Sequence, residues 1–203
     1  NITTKQLTVS GITAKNKMFD GNPNATLVTT SAALVGVVAS DQVTLSVSNA
    51  TGTFETASVG SNKNVSVSGL TISGIDASNY SLIQPIVSAT IFAVPNVHII
   101  STLAPIEVGK TAYVQATNPG EISGFQWEWY FSSTPSITGG SLDTNPSIIN
   151  GSTTVPSSAG VYTVRFSYLN AIGERQYTST VFVPVYDPNG GFVTGGGWIE
   201  SPT

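Results

Sequence analysis

The sequence predicts an all-β chain built as two antiparallel β-sandwich domains in tandem, and three observations predict it. Short apolar-polar alternations recur along the whole length. Gly, Pro, Asn and Asp punctuate them at spacings of roughly 8 to 12 residues, and no stretch carries the apolar spacing of a confident amphipathic helix. The most informative run is Gly124-Phe125-Gln126-Trp127-Glu128-Trp129-Tyr130-Phe131. Phe125, Trp127 and Trp129 share one parity and Gln126, Glu128 and Tyr130 the other, so a strand here has one heavily aromatic side.

Elements of the first half follow the same grammar. Leu7 and Val9 alternate, Gly11 shifts the register, and Ile12 and Ala14 resume. Phe19-Asp20-Gly21-Asn22-Pro23 is a turn, because Asp and Gly favour tight reversal and Pro cannot continue a central strand. Ala32 to Val38 is apolar but short and glycine-broken, which predicts a buried strand or a loop packed on the core. Further strands are expected at Val43-Thr44-Leu45-Ser46-Val47, at Val65-Ser66-Val67-Ser68, at Leu70-Thr71-Ile72 after Gly69, and at Val87-Ser88-Ala89-Thr90-Ile91.

Four ordered blocks then carry a family likeness: Lys17-Met18-Phe19-Asp20-Gly21-Asn22, Gly36-Val37-Val38 with Asp41-Gln42-Val43-Thr44-Leu45, Val59 to Leu70, and Asp76-Ala77-Ser78-Asn79-Tyr80. Together they resemble the YDG repeat module of bacterial surface adhesins. The resemblance spans about the first 92 residues and implies an Ig-like sandwich used in tandem as a stalk or spacer, with no catalytic residues. Phe19 departs from it, standing where the family usually has tyrosine.

Ala93-Val94-Pro95-Asn96 marks the boundary, since Pro and Asn disfavour continuation of a completed strand. The expected domains are 1–94, 95–188, and a linker with the start of a further domain at 189–203. Beyond the boundary, Ser158-Ala159-Gly160-Val161-Tyr162 opens an alternating run to Tyr168 and resembles the tyrosine corner of Ig-type sandwiches, in which the phenol bonds back to upstream backbone. Asn170 to Glu174 supplies a hairpin turn, and Tyr177 to Val183 is expected as the last strand. With Trp127, this set resembles a PKD-type or related Ig-like module over about 97–187. Ser132-Ser133-Thr134-Pro135 replaces the acidic Gly-Asp-Gly turn of that family, so calcium at this turn is not expected. Gly191 to Ile199 resembles the opening of another domain; it lacks the Lys-Ser/Thr ending of a phosphate loop.

Composition excludes several functions. Charged residues are 9% of 203, with Lys+Arg 7 against Asp+Glu 11, so no basic stripe is available for nucleic acid or an anionic membrane. No apolar run approaches the roughly 20 residues of a membrane span. The absence of cysteine rules out disulfides and thiolate sites. Combined with abundant Ser, Thr, Asn and Gly, it fits an extracellular or surface protein.

His98 is the only histidine and stands at a strand start beside the boundary, without a Gly-x-Ser-x-Gly elbow to serve, so a surface role is expected. The carboxylates are scattered, and Asp20, Asp76 and Asp187 sit in turns where Asp caps its own backbone. The chain is therefore expected to be a non-catalytic monomeric spacer without cofactor or metal. Its partners would be neighbouring domains of the same polypeptide. The alternative is a ligand-binding module contacting a surface glycan through Trp129, Tyr130 and Glu128, with Trp129 and Tyr130 as the stacking platform.

Overall fold

The computed structural model describes residues 3–100, 104–131, 136–142, 145–155, 157–190, 192–194 and 197–199; at 136, 142, 192–194 and 197–199 it describes the backbone alone. The chain separates into two compact units, Asn1–Val94 and Pro95–Thr203. Both are all-β sandwiches of Ig-like character, mainly antiparallel.

In the first unit, the largest sheet orders Lys17–Met18, Ile86–Phe92, Gly60–Ser68, Thr51–Phe54 and Asn24–Ala25. A smaller sheet orders Tyr80–Leu82, Lys5–Ser10 and Ala33–Val35, and two-stranded ladders join Thr71–Ser73 to Thr44–Ser46 and Thr13–Ala14 to Leu27–Val28. Alternation along Gly60–Ser68 turns Lys63, Val65 and Val67 inward. Val65 packs with Phe54, Ala89 and Ile91, while Val67 packs with Ile12 and Leu70. Gly11 and Gly69 break register because both adopt left-handed φ, 77° and 79°. A Cβ at these positions would fall 1.9 Å from the Ser31 carbonyl oxygen and 2.0 Å from that of Asn49.

The Ala32–Val38 run differs from expectation. Ala33–Val35 is a strand, but it lies at the edge of the smaller sheet and leaves Val35 and Val38 exposed. Its apolar content therefore does not make a core strand.

In the second unit one sheet orders Ile106–Glu107, Val181–Tyr186, Gly160–Leu169, Ser123–Tyr130 and Ser136–Gly139, with Arg175–Tyr177 also on Gly160–Leu169. The facing sheet orders Thr111–Thr117, Ile148–Thr154 and Ser141–Leu142. Between them lies a single core of Ala112, Val114, Ala116, Trp127, Trp129, Ile149, Val155, Val164, Phe166, Tyr168, Val183 and Val185. Burying each tryptophan contributes roughly 4–6 kcal/mol before entropy is counted. The expected single last strand over Tyr177 to Val183 is two: Arg175–Tyr177 pairs with the end of Gly160–Leu169 and Val181–Tyr186 with its beginning.

The Tyr162 hydroxyl donates to the Ser158 carbonyl at 2.7 Å, closing the tyrosine corner. Past this sheet, Asp187 accepts a bond from the Asn189 amide at 2.8 Å, and Phe192–Thr194 pairs with Gly197–Ile199. The expected further domain at 189–203 falls partly outside the described residues, and the Ser132 to Pro135 turn lies wholly outside them.

Candidate functional site

The outward face of the Ser123–Tyr130 strand gathers the most chemistry. Glu128 lies directly opposite Arg165 in the ladder with Gly160–Leu169, so both side chains leave the sheet on the same side. Arg165 Nη2 donates to Glu128 Oε2 at 2.6 Å and Nε donates to the same oxygen at 3.1 Å. The Tyr130 hydroxyl donates to that oxygen at 2.7 Å and accepts from Arg165 Nη2 at 2.9 Å. The guanidinium carbon stands 4.2 Å from the Tyr177 ring centroid and 5.7 Å from that of Tyr130, within cation–π range of both.

Electrostatics follow from this closed arrangement. Burial pushes the Glu128 carboxyl up, but the bonds from Arg165 and Tyr130 outweigh it and hold the group below the usual carboxylate range. The bond to Glu128 raises the Tyr130 phenol, and it likewise raises Arg165. At neutral pH the carboxylate is ionised and engaged, so it is poorly suited to general acid or base work.

Two residues of the alternative glycan-contact reading are not placed as that reading requires. Trp129 is 0% exposed, packed in the core with its ring nitrogen donating to Thr138 Oγ1 at 3.0 Å, and it offers no face to a sugar. Glu128 has the outward parity expected of it but is only 7% exposed, because Arg165 and Tyr130 fold over it. Tyr130 is half-buried. Two rings on this face are exposed, Tyr177 at 53% and Phe182 at 66%, and Ile137 is exposed nearby on a flanking strand.

Arg165 and Tyr177 were not legible as site residues from sequence. Arg165 alternates with Val164 and Phe166, which marks it as outward-facing, but its pairing with Glu128 depends on a strand register 37 positions away.

The polar residues of the first unit's four blocks serve its own loops. Lys17 Nζ donates to Asp20 Oδ1 at 2.7 Å and to the carbonyls of Asn22 at 2.7 Å and Asn24 at 3.1 Å, tying down the turn. The Lys17 bond lowers the Asp20 carboxyl. The Tyr80 hydroxyl donates to Asp41 Oδ2 at 2.6 Å and accepts from the Val38 amide at 3.0 Å; Asp76 Oδ2 accepts from the Gln42 amide at 2.8 Å. Lys63 Nζ donates to Thr56 Oγ1 and, at 3.0 Å, to Ser58 Oγ. His98 is exposed. Among the described residues no group of His, Asp and Glu could hold a metal ion, and no helix is long and apolar enough to cross a membrane.

Residues 3–90 match the family model of the YDG domain. That span covers the four blocks and their loop contacts. No curated protein sequence matches the chain. Among solved structures, fibronectin(III)-like modules of Clostridium thermocellum CbhA are similar at 24% identity and TM-score 0.31, over 44% of this chain and 93% of that one. The chicken CNTN1 FN1–FN3 domains are similar at 7% identity and TM-score 0.39, over 90% and 68%. Bacteroides ovatus SGBP-B of a mixed-linkage glucan utilization locus, in complex with a mixed-linkage heptasaccharide, is similar at 12% identity and TM-score 0.27, over 87% and 44%. At these TM-scores the likenesses add nothing to the all-β arrangement, which stands on the strand pairing itself.

Proposed function

We infer that the chain is a non-catalytic spacer from a large secreted or surface-anchored bacterial protein of adhesin type. The observation that carries this reading is where the polar side chains go: Lys17, Asp41, Asp76, Tyr80, Glu128 and Arg165 all bond groups of their own unit. Each unit also has its own buried core, as a module strung in a longer polypeptide requires. The second unit is read as PKD-type or related on the strength of the Tyr162 corner and the Trp127 strand. Calorimetry is expected to resolve two unfolding transitions, and glycan arrays to give no specific signal. A single cooperative transition, or specific binding to one glycan class, would sink the reading.

A second reading is favoured by one observation, the half-exposed Tyr177 ring backed by Arg165. An exposed aromatic beside polar groups is the chemistry that stacks on a sugar ring. Under this reading the chain is a carbohydrate-binding accessory module. Array binding abolished by Tyr177→Ala with an unchanged melting temperature would support it; no binding by the parent chain would end it.

A further inference from the structure

Two exposed rings stand in line on the outward face of the second unit's larger sheet. Phe182 lies opposite Thr163 and Tyr177 opposite Ser167, and both partners share the outward parity of Arg165 on Gly160–Leu169. Ser123–Tyr130 occupies the other edge of that strand at the same positions, so Arg175–Tyr177 and Val181–Tyr186 follow one another along a single edge. The positions of the two rings are thus four residues apart along Gly160–Leu169, about 13 Å at the rise of an antiparallel strand. Arg165 stands midway along that interval, on the neighbouring strand.

We propose that this face binds an extended, neutral, β-linked polysaccharide, with Tyr177 and Phe182 as two stacking platforms for one chain. The inference rests on the carbohydrate-binding reading above and adds to it the class of ligand. A pyranose ring carries C–H groups on its faces, and laying them on an aromatic ring removes apolar area from water. Equatorial β-linkages keep successive sugar rings in a nearly flat ribbon, which can lie across both platforms. A single sugar cannot reach from one to the other, and a coiled chain cannot lie flat on them.

Charge selects against acidic polymers. Arg165 spends Nε and Nη2 on Glu128 Oε2, at 3.1 and 2.6 Å, so the two charges at the middle of the face cancel. The cross-strand rows on either side are uncharged: Tyr130, Thr163 and Phe182 in one, Gln126, Ser167 and Tyr177 in the other. Arg175, one row beyond Tyr177, donates to the Gly124 carbonyl at 2.5 Å. The whole chain carries a formal net charge of −4, which repels polyanions. Gln126 and Thr163 are half-buried and supply amide and hydroxyl groups for the sugar hydroxyls.

The test sets the full chain against a soluble linear β-glucan, its disaccharide and hexasaccharide, and polygalacturonate as the acidic counterpart. Affinity electrophoresis should show retention by the neutral polymer and none by the acidic one. Titration calorimetry should show the hexasaccharide bound about tenfold or more tighter than the disaccharide, which reaches one platform alone. Tyr177→Ala and Phe182→Ala should each weaken hexasaccharide binding by about tenfold, with circular dichroism unchanged because both rings are exposed. This outcome would also decide against a purely spacing role. Retention by polygalacturonate, equal affinity for the two oligosaccharides, or a loss in one variant alone would overturn the inference and leave the carbohydrate-binding reading standing. Failure to bind any of these probes would overturn the inference, and silence across a glycan array as well would end that reading with it.

Discussion

Arg165 and Glu128 face each other across the ladder joining Gly160–Leu169 to Ser123–Tyr130, with Nη2 2.6 Å from Oε2. Because the carboxylate is nearly covered and the guanidinium about a third exposed, the pair lies between a surface and a buried salt bridge. Glu128→Gln is expected to cost about 1–3 kcal/mol, as bonds to a charged group are lost and Arg165 loses its counter-charge. The carboxyl is held below its ordinary range, so its contribution is present above the unfolded value of about 4.3 and fades as pH falls through the lower folded value. Thermal melts should therefore show a wild-type advantage at pH 7 that narrows in strong acid; an advantage unchanged at low pH would contradict the assignment.

How much of this was legible in the sequence differs between the two faces of one strand. Trp127 and Trp129 could be read as inward because parity and aromatic content agree, and the core holds both. Glu128 could be read as outward by the same parity, but not as covered, since its cover comes from Arg165 on another strand and from Tyr130 bent over it. Likewise Asp41 and Tyr80 are 39 positions apart and meet only when the first sandwich closes. Alternation reports which side of a sheet a residue takes; register decides what it meets there. The parallel pairings of Lys17–Met18 with Ile86–Phe92 and of Ile106–Glu107 with Val181–Tyr186 were hidden for the same reason, being two residue pairs long and set by the crossing of distant strands.

Gly151 is expected to be intolerant of a side chain. A Cβ there would stand 2.3 Å from Trp127 Cδ1, and the Trp127 ring nitrogen donates to the adjacent Asn150 carbonyl at 3.1 Å, so the indole has little freedom to withdraw. Gly151→Ala should destabilise the second unit by about 1–3 kcal/mol through overpacking. Chemical denaturation followed by tryptophan fluorescence would reveal it, and a neutral effect would mean that the two facing sheets can part locally.

Tyr162→Phe removes only the hydroxyl that bonds Ser158, leaving the ring against Phe131 at a centroid distance of 4.8 Å. The expected loss is about 0.5–1.5 kcal/mol, the net value of one neutral hydrogen bond. Equilibrium denaturation should show it as a lower midpoint with an unchanged slope. Full retention of the midpoint would mean that water replaces the corner bond without loss.

Tyr80 offers the corresponding test in the first unit, with the opposite pH dependence. Its hydroxyl donates to Asp41 and accepts from the Val38 amide, so Tyr80→Phe leaves a carboxylate and an amide without this partner and should lower the melting temperature of that unit. The bond to Asp41 raises the phenol above its ordinary value. A group raised on folding contributes stability that is complete below the unfolded value, about 10 for tyrosine, and is lost as pH rises through the folded one. The gap between wild type and Tyr80→Phe should accordingly be full at pH 7 and close in alkali. Other phenols, including Tyr130 and Tyr168, are also raised, but they are common to both proteins and drop out of the difference. A gap that stays constant to high pH would show that the phenol stabilises the unit by packing alone.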